Sequence, residues 1–257
     1  MSKISKTLIT LAIVSLASYL VIKGTKSTKA INKTLDNGLE TIKNYAKLEE
    51  VDIGEFKKIM LMKVLPFYTT AYNIENIGYI SILYSNLGAM QLFCFILSPF
   101  ERDFPILTID YIHIFGTRKA LLETYNATLN KDNEPYKTFV SDIENLKKKY
   151  SELKDWEMDP QWTDSRLVAN MRKDGNDSED DEFNSIFSDV IDVYMKNIVN
   201  MPQLNEEDKK NKNILIKEFS ELLVKNGGVA VNFFKRTMSE DEVNKIFVEI
   251  FFGYDSQ

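Results

Sequence analysis

An aspartate stands in an otherwise apolar stretch of the sequence. Asp110 lies within residues 107–115, where alternation and β-branched residues predict a strand. In a strand it shares a face with Ile112, and a carboxylate among isoleucines is costly to ionise, so its pKa should rise towards neutrality. Such a group is suited to giving a proton to a bound substrate. The alternative is a structural role at a strand end, paired with Arg102 or Arg118.

The other residues that could support catalysis are scarce. The chain has one cysteine, Cys94, and one histidine, His113, so an intrachain disulfide, a Cys-rich zinc site and a site of several imidazoles are all excluded. His113 falls on the opposite strand face from Asp110 and is best interpreted as structural. No glycine-rich dinucleotide or phosphate loop occurs among the ten glycines. An enzyme of this kind must therefore take its redox power from something it binds.

Composition limits the class of protein further. The chain has 257 residues, 44% of them hydrophobic, with 38 acidic against 32 basic residues and a net charge of -6. That is enough for one substantial core. Nucleic acid is not an expected partner, because phosphate neutralisation needs a concentrated basic surface.

The N-terminus carries an apolar run. Residues 8–22 are uncharged and flanked by lysines, which predicts an N-terminal hydrophobic helix that anchors the chain in a membrane. The lysine excess after the run places the main domain in the cytoplasm. A signal or targeting peptide for export or organelle import, and a buried helix of a soluble protein, are the alternatives. The predicted organisation is an anchor and linker over 1–30 and one domain over 31–257.

The elements that must position Asp110 follow from the apolar spacing. Residues 31–48 and 53–65 predict helices, and residues 68–128 predict five short strands joined by turns, hence an antiparallel meander. The sequence also predicts amphipathic helices over residues 136–153 and 181–200 and an irregular segment over 155–181. Two more helices begin at the N-caps Asn205 and Ser239, with Asp208 and Glu242 three residues on. Strands flanked by helices predict an α+β domain whose sheet is covered by helices.

Several segments together resemble the ferredoxin-dependent bilin reductases. The resemblance rests on five features: the loop 97–105 (LSPFERDFP), Asp110 in its strand, the turn Phe115-Gly116, the strand end 123–126 (ETYN) and the C-terminal stretch 239–252. The part that matches well covers about 40 residues, and the rest agrees in element order. The chain is similar to a divergent member of that family.

The resemblance implies a three-layer α/β/α sandwich with a central antiparallel sheet. It implies reduction of a linear tetrapyrrole (bilin) such as biliverdin, held between the sheet and the C-terminal helices, as in phycobilin biosynthesis. Electrons would arrive singly from ferredoxin or flavodoxin, with no cofactor bound by the enzyme. Asp110 would be the catalytic proton donor, so the chain would be an oxidoreductase.

Three further positions follow from the resemblance. Counting seventeen residues back from the aspartate gives Phe93, where the family often has His or Asn, and Phe93 is expected to stack on the substrate. Ser81 stands where some members have a glutamate, and Gln203 corresponds to a polar residue of the C-terminal loop. None of these can replace a titrating donor. A non-catalytic, membrane-tethered tetrapyrrole carrier and an anchored interaction domain therefore remain as alternative functions.

Overall fold

The computed structural model describes residues 3–254, and the side chains of residues 3–22 and 229 lie outside that description. The helices are α1 (Lys3–Lys43), α2 (Glu134–Lys149), α3 (Asp180–Ile198), α4 (Glu206–Asn226), α5 (Val229–Lys235) and α6 (Glu240–Asn244), the last continued by a π-helical turn over Lys245–Phe251. The strands are β1 (Leu48–Glu50), β2 (Lys58–Leu61), β3 (Leu65–Ile74), β4 (Gly78–Asn86), β5 (Met90–Ser98), β6 (Ile106–Ile114), β7 (Thr117–Tyr125), β8 (Lys154–Asp155) and β9 (Leu167–Asn176).

The strands of the described chain form one antiparallel sheet. Its order is β1-β3-β4-β5-β6-β7-β9-β8, with β2 paired to β3 beside β1. Consecutive strands from β3 to β7 are neighbours, which confirms the predicted meander. The alternation of side chains along each strand sends one set of apolar residues to each face of the sheet.

Helices cover both faces. One core cluster lies where α1, α2 and α3 meet the sheet, and it contains Phe93, Tyr111 and Phe187. The second lies under α4, α5, α6 and the π-helical turn, and it contains Leu83, Phe219 and Phe247. The antiparallel sheet covered by helices, and its layering as α/β/α, are thus as predicted. The N-caps Asn205 and Ser239 accept hydrogen bonds from the backbone N–H groups of the residues three positions on.

Two predictions about local structure were wrong. Residues 53–65 do not form a helix: a short 3-10 turn is followed by β2, because pairing with β3 satisfies the backbone in an extended form. Residues 155–181 are not irregular throughout, because β9 pairs along most of β7. Lys173 interrupts the apolar alternation of β9, so the strand was not recognised in the sequence. Its side chain is buried and forms an ion pair with Asp155 at 2.6 Å.

The N-terminal helix continues past residue 30, the predicted boundary between the anchor with its linker and the main domain, and that division stays a prediction. α1 runs on to Lys43, and Ser27 is already buried against the sheet, with its Oγ 3.2 Å from Nδ1 of His113. Lys23 forms an ion pair with Asp177 after β9. Within the described part of the chain, no helix is long and apolar enough to cross a membrane. The side chains of residues 8–22 lie outside that part, so the predicted anchor stays a prediction.

Candidate functional site

A cavity of about 130 Å³ lies between the sheet and the C-terminal helices. Its floor comes from β5, β6, β7 and β9, its roof from α4, α5 and the π-helical turn, and its rim from the segment before β9. The residues lining it include Cys94, Ile96, Thr108, Asp110, Leu121, Glu123, Tyr125, Met158, Gln161, Thr163, Arg172, Phe219, Leu223, Val231, Phe247 and Phe252. The lining is thus largely apolar, with a few polar groups concentrated on the floor.

The sheet register aligns the polar groups of the floor. Cys94 on β5 pairs with Asp110 on β6, Asp110 pairs with Leu121 on β7, and Leu121 pairs with Arg172 on β9. Directly paired residues share a face, so these side chains form one row across four strands. Glu123 lies two residues beyond Leu121 on the same face. The antiparallel meander therefore places a carboxyl, a thiol and an ion pair in one cavity.

Asp110 is an acid that titrates near neutral pH. Burial raises its pKa to about 6, the hydrogen bond with the Cys94 thiol lowers it, and the negative charge of Glu123 raises it. Burial also raises the pKa of Cys94 well above its usual value, so this thiol stays protonated. Asp110 and Cys94 are both partly accessible, and both line the cavity. A molecule in the cavity would meet a carboxyl that can be either protonated or ionised.

Glu123 is held differently from Asp110. Nε of Arg172 donates to Glu123 Oε1 at 2.6 Å, and Oη of Tyr125 donates to Oε2 at 2.5 Å. Arg172 also donates to Asp164 Oδ1 at 3.2 Å. Both oxygens of Glu123 are therefore occupied by donors, one of them the Arg172 guanidinium. Asp110 has no such cation, so the two acids of the cavity are suited to different tasks.

The chemistry available here is proton transfer to a largely apolar molecule. The aromatic wall of Phe219, Phe247 and Phe252 can pack against flat rings. Among the described residues, no group of three or more His, Cys, Asp or Glu side chains is placed to hold a metal ion.

Phe93 lies away from this cavity. It is 1% exposed and packs on the other face of the sheet, stacked on Tyr111 with ring centroids 5.0 Å apart and edge-on to Phe187. Its register partner is Tyr111, and the side chain beside Asp110 is Cys94. A shift of one residue along a strand moves a side chain to the opposite face, so the count of seventeen leads to a residue on the face opposite to Asp110. Phe93 is not among the residues that line the cavity.

Ser81 and Gln203 also lie outside the lining of the cavity. Ser81 is buried in β4 and donates its hydroxyl to the backbone oxygen of Phe251 at 2.7 Å, which ties the π-helical turn to the sheet. Gln203 is exposed and donates to the Asn76 side chain at 2.6 Å, at the end of the sheet where β3 turns into β4. Of the four predicted site residues, only Asp110 lines the cavity. His113 lies on the opposite face, as expected, and burial lowers its pKa to about 3.

Sequence reasoning missed Cys94, Glu123 and Arg172. Glu123 is an acidic residue in the apolar strand β7, as Asp110 is in β6. The same reasoning could therefore have identified Glu123 as a candidate site residue. Cys94 was treated only as a lone cysteine, and its neighbour could be identified only with the register. Arg172 was not found because β9 was not predicted.

Comparison with known proteins supports the fold. The sequence matches no known family model, and no curated protein matches it. Among solved structures, tomato phytochromobilin synthase in complex with biliverdin matches with a TM-score of 0.71 and 16% sequence identity. The match covers 88% of this chain and 84% of that one. The chain therefore shares the fold of this phytochromobilin synthase, at low sequence identity.

Proposed function

We propose that this protein reduces a linear tetrapyrrole, with Asp110 as the proton donor. The observation that carries the proposal is the position of Asp110, which has a pKa of about 6 and lines the cavity between the sheet and the C-terminal helices. The same fold is seen in a phytochromobilin synthase complexed with biliverdin. Reducing one double bond takes two electrons and two protons, and a carboxyl near neutrality can supply a proton as each electron adds negative charge.

The proposal includes an outside source of electrons. We infer that a one-electron protein donor, ferredoxin or flavodoxin, supplies them singly and that no cofactor is bound by this chain. The support is the sequence, which has no dinucleotide loop and only one cysteine. Ferredoxins are acidic, so docking would need basic residues beside the cavity. Arg166, which packs on the ring of Phe219, and Lys217 on α4 are candidates on this side of the molecule.

Binding of a tetrapyrrole requires the cavity to enlarge. Pockets for drug-sized ligands have volumes of roughly 300–1,000 Å³, whereas this one measures about 130 Å³. The floor is a continuous sheet, and the roof consists of α4, the short helix α5 and the π-helical turn. We therefore expect the roof to move away from the sheet when a bilin enters, while the row containing Asp110 stays in place.

A spectral experiment tests the proposal. The full chain is mixed with biliverdin and a reduced ferredoxin system without oxygen, and the visible spectrum is followed. Conversion in the wild type that is lost in Asp110→Asn, and kept in the surface control Asp132→Asn, supports the reductase. Failure to form any complex would show that the cavity does not accept bilins.

A tetrapyrrole carrier is the second candidate. It is favoured by the absence of a second free acid in the described lining, since Glu123 is engaged by Arg172 and Tyr125. A carrier would give a red-shifted biliverdin complex whose spectrum does not change when reduced ferredoxin is added. The third possibility, an interaction domain with a structural Asp110, predicts no bilin complex.

We also propose that residues 8–22 attach the protein to a membrane with the main domain on the cytoplasmic side. The support is the uncharged apolar run and the lysines on both sides of it. Separation of cell membranes from the soluble fraction tests this. Recovery of the full chain in the soluble fraction with residues 8–22 still present would contradict it.

A further inference from the structure

Exposed large apolar side chains concentrate at one end of the sheet. Val64 is 69% exposed, Phe115 65% and Met62 61%. We call the following residues the sheet-end patch: Met60, Met62, Val64, Ile114 and Phe115. Of the other exposed large apolar residues described, Tyr68 lies on β3, Leu129 follows β7 at the opposite end, and Ile214 lies on α4.

The patch is formed by two hairpins at the same end of the sheet. The β2–β3 turn lies beside the end of β4, where the Ser85 hydroxyl donates to the backbone oxygen of Pro66 at 2.7 Å. Met90 pairs with Ile114, so the β6–β7 turn is at this end of the sheet as well. The centres of the two hairpins are four strand spacings apart, about 19 Å. Two separate apolar tips thus lie at the same end of the sheet.

The backbone at both tips is unusual for large residues. Met62 and Lys63 have φ values of 53° and 61°, and Phe115 has a φ of 48°. Glycine or asparagine normally occupies such positions in a two-residue turn, because other side chains are strained there. An exposed methionine and an exposed phenylalanine gain no core packing in return. Strain without a packing benefit is typical of a surface that has a function.

The N-terminal helix reaches the same end between the two hairpins. The backbone of Gly24 packs against the carbonyl of Gly88 in the β4–β5 turn, and Lys23 forms an ion pair with Asp177. The apolar run 8–22 directly precedes Lys23 in the sequence. Any membrane that holds residues 8–22 is therefore close to this end of the domain.

Basic residues are concentrated in the segments that form this end. The net charge of the protein is -6, yet the segments 23–33, 57–68 and 113–119 contain several lysines or arginines and no acidic residue. The acidic stretch 174–182 also lies at this end, and three of its carboxylates, Asp177, Asp180 and Asp181, form ion pairs with basic residues of this end or of α1. Basic residues around an apolar tip match a surface of anionic headgroups over hydrocarbon.

We propose that the sheet-end patch rests on a phospholipid membrane, with Met62, Val64 and Phe115 in the interfacial layer. The inference rests on the membrane attachment proposed for residues 8–22, and it adds a second, independent contact that fixes the orientation of the domain. The sheet stands with its strands pointing towards the bilayer. The cavity then lies at a constant distance from the lipid surface.

Environment-sensitive labels test this orientation. The full chain is purified in detergent and reconstituted with vesicles of phosphatidylcholine, with or without phosphatidylserine. Val64→Cys and Phe115→Cys are labelled with a nitrobenzoxadiazole fluorophore, and Ile214→Cys, which is 50% exposed elsewhere, is the matched control. The unsubstituted chain measures the background from Cys94. Co-sedimentation with the vesicles is measured on the same samples.

The two proposals can fail separately. We expect the labels at 64 and 115 to brighten several-fold and shift to the blue on vesicles, more so with phosphatidylserine, while the label at 214 does not respond. Co-sedimentation without any response at 64 and 115 would overturn the orientation and leave the N-terminal attachment intact. No co-sedimentation would overturn both. A response at 64 and 115 that needs protein concentration but not lipid would identify a second copy of the chain as the occupant, against the proposal.

Discussion

Replacing Asp110 by asparagine should stabilise the fold at neutral pH while removing the proposed activity. The pKa of Asp110 rises from 3.8 to about 6 on folding, mainly through burial. The two values differ by about 2, and each pKa unit corresponds to about 1.4 kcal/mol, so the ionised carboxylate destabilises the folded state by about 3 kcal/mol. Asparagine has nearly the same shape and carries no charge, so Asp110→Asn removes this cost.

The sign of the effect depends on pH. Below the unfolded pKa of 3.8, the carboxyl is neutral in both states, and the substitution changes little. Between 3.8 and about 6, the unfolded chain loses its proton first, so the stability of the wild type falls as pH rises. Above about pH 6 the full difference is present. The variant should exceed the wild type by about 1 kcal/mol near pH 4.5 and by about 3 kcal/mol near pH 7.5.

Denaturant unfolding of the full chain at these two pH values measures the difference directly. Asp132→Asn is the matched control, because Asp132 is exposed, and we expect no change for it. If Asp110→Asn lowers the free energy of unfolding at pH 7.5, or changes it equally at both pH values, the burial argument for Asp110 is refuted. The bilin assay on the same variant reports activity separately from stability.

Three further predictions concern the cavity and its supports. The rate of bilin reduction should fall as pH rises through about 6, because only protonated Asp110 can donate, and a single-turnover pH profile measures this. Arg172→Met should lower the free energy of unfolding by roughly 3 kcal/mol, measured in denaturant, because it leaves Glu123 buried without its cation. Burial lowers the pKa of Lys212 from 10.5 to about 7, so the wild type should gain stability with rising pH above 7. Lys212→Met should lose that gain in thermal unfolding scans across the same pH range.

Each of these has a contrary result. A pH profile that is flat between 5 and 7 would mean that Asp110 is not the donor in the step measured. Stability of Arg172→Met equal to that of the wild type would mean that the guanidinium contributes nothing at Glu123. Parallel pH curves for Lys212→Met and the wild type would mean that the hydrogen bonds from Lys212 to the backbone oxygens of Phe104 and Ala127 keep it charged in the folded state.

The features that could be predicted from sequence depend on local periodicity. Alternation alone assigned Asp110 and His113 to opposite faces, and turn residues such as Gly116 marked the meander. The helix predicted over 53–65 failed because the apolar residues of β2 fit either period, and pairing with β3 decided between them. The choice between helix and strand for this segment depends on its pairing with another strand, which local periodicity does not reveal.

The composition of the site needed the register as well. Phe93 and Cys94 are adjacent in sequence and lie on opposite faces, and which of them stands beside Asp110 is fixed by the length of the loop between β5 and β6. Arg172 reaches Glu123 only because β9 pairs with β7. The count of seventeen residues, taken from the family resemblance, does not specify which residues pair between β5 and β6 or between β7 and β9.

The row of the sheet next to Asp110 extends the cavity in one direction. Leu92, Ile112 and Lys119 pair across β5, β6 and β7, on the same face as Cys94 and Asp110 and nearer to the sheet-end patch, and all three are only half-buried. This strip is apolar in its middle, and at its β7 side the Lys119 ammonium lies 4.0 Å from the ring centroid of Trp156 and 3.7 Å from the Asp174 carboxylate. A bound bilin too long for the cavity would therefore find a ready extension of its floor here. Its flat pyrrole rings would cover Leu92 and Ile112, and its propionate carboxylates would meet Lys119, so the binding mode would be set by a gradient of polarity along the sheet.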